Sequence, residues 1–193
     1  MKKKVTERSL QALKTKKKLF QSAAKLIAKH GYDNVTVEGI CRKAGVSVGA
    51  FYHYYISKSD IIVEFFKEID SFYEEKVVPE LTQDAVSNIV IFFRYYAKFH
   101  IDQGIAHTSM FIKIQHEVFL DKTRYMYIKL LELVNDGLAE GVFRVDADPT
   151  VIEDYLLVIA RGLIFDWSLA RGNYDLTAKM EAYIRLAMQS FRQ

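Results

Sequence analysis

The chain has 193 residues, 50% of them hydrophobic and 13% aromatic, with a formal net charge of +3. That composition excludes a disordered chain and leaves room for one large or two small packed domains. A single cysteine excludes a disulfide framework and a cysteine-rich zinc site. The basic start lacks the apolar run of a secretion signal, and the longest apolar runs, 89–93 and 155–160, are far too short to span a bilayer. A reducing cytoplasm without membrane contact is the expected setting.

Charge is unevenly placed. Residues 1–60 carry thirteen Lys or Arg against four acids, a net of +9, while the remainder carries fourteen against twenty, a net of −6. A polyanion partner at one end of the chain explains such asymmetry. Residues 2–18 are expected to begin as a disordered arm that runs along phosphates or enters a minor groove when DNA is present.

A helix is predicted over 15–30, closed by Gly31, where a positive backbone dihedral suits only glycine. Thr36 then offers its hydroxyl as the cap of a helix over 37–44, with Gly39 in place of the glutamate of a reciprocal capping box. Val37, Ile40, Cys41 and Ala44 share one face of that helix and are expected to be buried. Gly45 breaks it, Val46 fills the turn, and Ser47 caps a short helix over 48–54. Phe51 and Tyr55 fall four apart and pack inward, leaving Ser47, Val48, Gly49, Ala50, Tyr52 and His53 outward. Small residues at the front let a helix press into a major groove. Tyr52 and His53 are suited to phosphate oxygens, as is Lys58 just before a Ser59 cap. The expected DNA-contacting set is therefore Thr36, Ser47, Val48, Gly49, Ala50, Tyr52, His53 and Lys58.

The segment AGVSVGAFYHYYISKSDI closely resembles the recognition-helix segment of the TetR family of one-component bacterial transcriptional regulators, and the likeness covers 19–63. The chain departs from the family pattern at Cys41, Ala50 and Tyr55, where alanine, threonine or serine, and phenylalanine are usual. Ala50 removes a hydroxyl within reach of DNA, so the bases read are expected to differ.

Beyond this unit a rigid helix over 59–78, stopped by Pro79, joins the reading head to a helical body. Further helices are predicted over 83–103, 105–119, 122–141, 149–171 and 176–191, with no alternating strand pattern. The fold class is all-α, of about nine helices, with a helix-turn-helix domain at 1–58 and a ligand-binding and dimerisation domain at 59–193.

The last two helices carry apolar stripes through Tyr155, Ile159, Gly162 and Leu163, and through Tyr183, Ile184, Ala187 and Met188. A stripe alone does not say whether its partner lies in the same chain. The resemblance implies a four-helix bundle across a two-fold axis, and a two-fold dimer implies a near-palindromic operator. Aromatic and polar residues between the connecting helix and the bundle, Phe92, Tyr96, His100, His107, Phe111, Tyr125 and Trp167, are the candidate lining of a small-molecule cavity. The same residues at helical spacing also describe ordinary core. The resemblance favours the cavity, with an apolar or amphipathic occupant.

Neither a cofactor nor a metal is expected. His100 and His107 lie two turns apart, but Gly104 interrupts the helix that would align them and no cysteine accompanies them. Cys41 reads either as a buried small residue or as a thiol activated by Arg42 and Lys43. No nucleophile motif, triad order or phosphate loop marks an enzyme. The expected function is a homodimeric repressor released from operator DNA by a small molecule. A regulator whose body binds a protein partner or only dimerises is the alternative.

Overall fold

The computed structural model describes residues 7–105, 107–109, 121–144 and 146–192, and all regular structure among them is helical. The helices are α1 (Glu7–His30), α2 (Val37–Ala44), α3 (Val48–Tyr54), α4 (Asp60–Phe72), α5 (Ala85–Gln103), α6 (Tyr125–Ala139), α7 (Pro149–Leu169) and α8 (Leu176–Gln189). Most of the predicted helix 105–119, with Phe111, lies outside the described residues. No described helix is long and apolar enough to cross a membrane.

Two expectations are corrected. The basic arm is helical from Glu7, eight residues before the predicted start. Leu, Ala, Gln, Lys and Arg fill its first turns, and these residues lose little side-chain entropy in a helix, which outweighs their mutual charge. The predicted rod 59–78 is α-helical only to Phe72, then continues as a π-helical turn over Tyr73–Val77 and a 3-10 turn over Val78–Glu80. Pro79 has no N–H for the Glu75 carbonyl and its ring clashes with that carbonyl in α geometry, so the chain widens before it.

The described residues up to Phe65 belong to one compact unit. Its core is Leu19, Phe20, Ala23, Ala24 and Ile27 of α1 against Val35, Ile40, Cys41, Phe51 and Tyr55. The buried positions of α1 recur at three and four residues, the period of one helix face.

The second unit holds Phe66–Thr108 and the described residues from Asp121 onward. Here α5 packs on α6 and α8, and α7 on α6 and α8. Asp84, Asp148 and Asp175 cap α5, α7 and α8 by accepting from the amides of Ser87, Thr150 and Ala178. Each satisfies an amide the helix itself leaves without a partner. A bidentate Arg94–Glu181 pair ties α5 to α8. Gly137 lies so close to the Phe143 ring that a Cβ would meet it at 2.6 Å, which explains a glycine inside α6.

Candidate functional site

The reading head is built from two caps and one left-handed turn. The Thr36 hydroxyl accepts from Gly39 N–H at 3.1 Å and the Ser47 hydroxyl from Ala50 N–H at 3.1 Å. Each oxygen thus serves the helix while its O–H stays available as a donor. A Cβ at Gly39 would meet Thr36 Oγ1 at 3.3 Å, so a glutamate there would crowd the cap. Gly45 adopts φ 69° and turns the chain from α2 into α3. Phe51 and Tyr55 are buried, as their spacing predicts. Val48, Gly49, Tyr52 and His53 are exposed and Ala50 is half-buried, so one face of α3 offers small residues in front and two polar aromatics behind. That surface fits a major groove flanked by phosphates.

Lys58 is placed differently from the expected surface cation. Its ammonium donates to the carbonyls of Tyr32, at 2.8 Å, and Val35, at 3.0 Å, and lies 4.0 Å from the centre of the Tyr32 ring. Two of its three N–H donors therefore hold the α1–α2 loop. Ser59 occupies the cap position of α4, its carbonyl accepting from Val63 N–H, while its hydroxyl meets that of Ser57. Asp60 fixes the same loop by accepting from Ile56 N–H and the Ser57 hydroxyl. Cys41 is buried, and burial together with Glu38 pushes its thiol up, against the activation that Arg42 and Lys43 suggested.

Residues 19–65, which hold this whole device from mid-α1 into α4, match the model of bacterial regulatory proteins of the tetR family. Over that segment the chain is similar to the tetR family. It is a DNA-binding transcriptional regulator. The fatty acid metabolism regulator protein of Bacillus subtilis (strain 168) is 20% identical over 176 residues, covering 87% of this chain and 91% of its own. The fold is similar to that of FadR from Bacillus halodurans, with a TM-score of 0.74 at 21% identity over 92% of this chain and 100% of the other. It is equally similar to FadR from Bacillus subtilis in complex with stearoyl-CoA, with a TM-score of 0.76 at 18% identity over the same shares.

In the helical body that follows, the candidate cavity residues separate. Phe92, Tyr96 and His100 of α5 are buried, as are His107 and Trp167, whereas Tyr125 is half-buried and Phe111 lies outside the described residues. Tyr73 donates from its hydroxyl to the Phe92 carbonyl, and the two rings lie 4.4 Å apart. Burial holds His100 down to about 3, with His107 adding to the effect, and burial holds His107 to about 4. Both are therefore neutral near pH 7. The Tyr96 hydroxyl, pushed up to about 12 by burial, meets the Arg161 guanidinium, which also donates to Tyr127.

Three residues that the sequence did not single out organise this region. Arg124, nearly buried, makes a bidentate pair with Asp70 at 3.1 Å, donates to the Phe66 carbonyl and lies 4.4 Å from the Phe66 ring. Asp70 also accepts from Met126 N–H and so caps α6 from α4. Arg161 bridges two tyrosines. A groove of about 770 Å³ runs between α6 and α7, lined by Tyr127, Ile128, Leu131, Val151, Tyr155 and Val158 with Lys122 and Glu153 at its polar side. Apart from Tyr155, placed in the dimerisation set, none of these residues was a candidate.

The apolar stripes are also redistributed. Leu163, Ile184, Ala187 and Met188 are buried within the chain's own fold, while Tyr155, Gly162 and Tyr183 are exposed and Ile159 is half-buried. The exposed stripe of α7 instead runs through Val151, Tyr155, Val158, Gly162, Phe165 and Leu169, beside Tyr183 and Leu186 of α8. Leu169 is 67% and Leu186 63% exposed. A Cβ at Gly162 would meet nothing within 4 Å inside the subunit, so any close approach there comes from outside.

Proposed function

We propose that this regulator is a cytoplasmic homodimeric repressor that grips a near-palindromic operator through α3 of each subunit. Its effector is an amphipathic acyl thioester of the acyl-CoA class, whose binding releases the DNA. The doubly capped α2–α3 turn, with its exposed Val48, Gly49, Tyr52 and His53, carries the DNA-reading part. The exposed apolar stripe of α7 and α8 supports the dimer, because a helix apolar on all sides is stable only when both faces are covered. Two-fold symmetry then spaces the two α3 helices at about 34 to 36 Å, one turn of B-DNA. The stearoyl-CoA complex of the Bacillus subtilis protein, similar in fold over 92% of this chain, supports the effector class.

The mechanism is a two-state equilibrium in the spacing of the reading heads. The α4 helix runs without a break from Asp60 to Phe72, and Arg124 and Asp70 fix its second half. An effector that favours one setting of that helix weakens DNA binding, and linkage requires DNA to weaken effector binding by the same factor. The reading describes a regulator and assigns it no catalysis.

The test is selection of an operator from a randomised duplex pool, followed by anisotropy titration with stearoyl-CoA and with free CoA. Release by stearoyl-CoA alone is the expected result. Selection of an inverted repeat with no response to either compound retains the repressor and rejects the effector, leaving a body that dimerises or binds a protein.

A further inference from the structure

We propose that the cleft between α1 and α2, lined by Lys18, Gln21, Ser22, Lys25, Lys43 and Ala44, is a second seat for DNA phosphates, beside the one formed by α3. The inference rests on the DNA-binding reading and enlarges its footprint. The cleft encloses about 410 Å³ and no acid lines it. Ser22 sits at its floor, and the hydroxyl supplies a donor, as do the two N–H groups of the Gln21 amide.

The lysines of this unit divide into two kinds. Lys16 is paired with Glu64 and faces the Tyr55 ring, and Lys58 holds loop carbonyls, so both are committed to the fold. Lys18, Lys25 and Lys43 are exposed, and no ion pair among the described residues involves them. At 100° per residue, Lys14, Lys18, Gln21, Lys25 and Lys29 fall on a single face of α1, opposite the buried Leu19, Ala23 and Ile27. The ridge from Lys14 to Lys29 is about 22 Å long at 1.5 Å per residue, enough to cross a major groove about 12 Å wide from one phosphate wall to the other.

This arrangement carries a cost in the free protein. Lys14–Lys18 and Lys25–Lys29 are like charges four residues apart, a repulsive spacing on a helix, and Glu7 is the sole acid of α1. A polyanion laid along the ridge removes that repulsion and releases its own counterions. Position favours DNA as that polyanion. Lys43 and Ala44 end α2, and three residues later Ser47 caps α3, so the cleft adjoins the turn that delivers α3 to the groove. Contacts at this seat read no bases. They add affinity and salt dependence equally on every sequence.

The experiment compares the full chain with its Lys18→Gln/Lys25→Gln/Lys43→Gln variant on a selected operator and on a random duplex, across a range of salt. A Lys67→Gln/Lys76→Gln/Lys98→Gln variant, equal in charge change but altered in the body, is the control. The expected result is a loss of about 5 in the slope of log K against log salt, about 0.9 for each of the six lysines a dimer loses, the same on both duplexes and absent from the control. Phosphate-ethylation interference should at the same time lose contacts flanking the bound groove. Single Lys43→Gln, expected to lose about two units of slope because a dimer carries it twice, gives the same reading if the triple variant does not fold. An unchanged slope, or a loss no larger than the control's, overturns the inference while leaving DNA binding intact. Failure of the unaltered chain to bind either duplex overturns the DNA-binding reading itself.

Discussion

The Lys58 ammonium sits 4.0 Å from the centre of the Tyr32 ring while donating to the Tyr32 carbonyl at 2.8 Å. One residue at the entrance of α4 thus pins the loop that precedes α2, and the position of the reading head depends on it. Burial raises the Tyr32 hydroxyl pKa, as does Asp33, while its bond with Ser59 lowers it. Charged hydrogen bonds contribute about 1.5 to 3 kcal/mol and a cation over an aromatic ring about 0.5 to 1. Lys58→Ala is therefore expected to lower unfolding free energy by about 2 kcal/mol, measured by urea denaturation, and to weaken operator binding through the loop. Weakened binding at undiminished stability would return Lys58 to a phosphate-contact role.

Arg124 and Asp70 form the corresponding fixture in the body. Removing one member of a largely buried pair leaves the other uncompensated, at a cost of about 3 to 5 kcal/mol. Asp70 is a little more exposed than Arg124, so the lower end applies to Asp70→Asn. That variant is expected to lose about 3 kcal/mol in denaturant titration. The double variant with Arg124→Met should lose less than the sum of the two single changes. Strict additivity would mean that the pair is not coupled.

The proposed dimer face predicts different consequences for neighbouring leucines of α7. Phe165→Glu/Leu169→Glu places charges on the exposed stripe and is expected to give a folded monomer by sedimentation, with operator affinity reduced about a hundredfold or more through lost bivalency. Leu163→Ala, inside the subunit, should instead cost about 2 to 5 kcal/mol of stability and leave the dimer in place. A dimeric glutamate variant would move the interface elsewhere.

Specificity is expected to reside at the front of α3. Val48 is exposed and Ala50 half-buried, and neither carries a polar group. Ala50→Ser adds a hydroxyl at the leading end of the helix and should change the selected operator at one position in each half-site, by about 1 to 3 kcal/mol of discrimination. Tyr52→Phe should weaken binding alike on all sequences. Identical operators selected by the Ala50→Ser variant and the unaltered chain would remove Ala50 from the reading surface.

How much of this was legible depended on how local the cause was. The bounds of α2 and α3 coincide with those read from sequence because Thr36, Gly45 and Ser47 act within four residues of themselves. The start of α1 was missed because a lysine run reads equally as a charged tail or as good helix formers. The exposed face of α7 was not distinguishable because that helix is apolar nearly all round, so periodicity points to two faces and not to one. The predicted helix 122–141 includes Arg124 but gives no sign of its burial, which comes from Asp70, Phe66 and Tyr127, two of them more than fifty positions away.

The two buried histidines make stability depend on pH in a defined direction. His100 and His107 titrate near 6.5 when unfolded, but burial holds them at about 3 and about 4 in the fold. A depressed histidine binds its proton more readily in the unfolded chain, so the stabilisation is fully present above pH 6.5 and is lost as the pH falls below it. At pH 5 each site costs about 2 kcal/mol relative to pH 7, from roughly 1.5 pH units at 1.36 kcal/mol each. Unfolding free energy should therefore fall steeply between pH 6.5 and pH 5, a range in which most carboxylates remain charged. His107→Phe is expected to flatten that slope by about half, because it removes one titrating site, and with it the repulsion that a proton on His100 would meet. An unchanged slope in that variant would mean that His107 is not a site of the proton uptake.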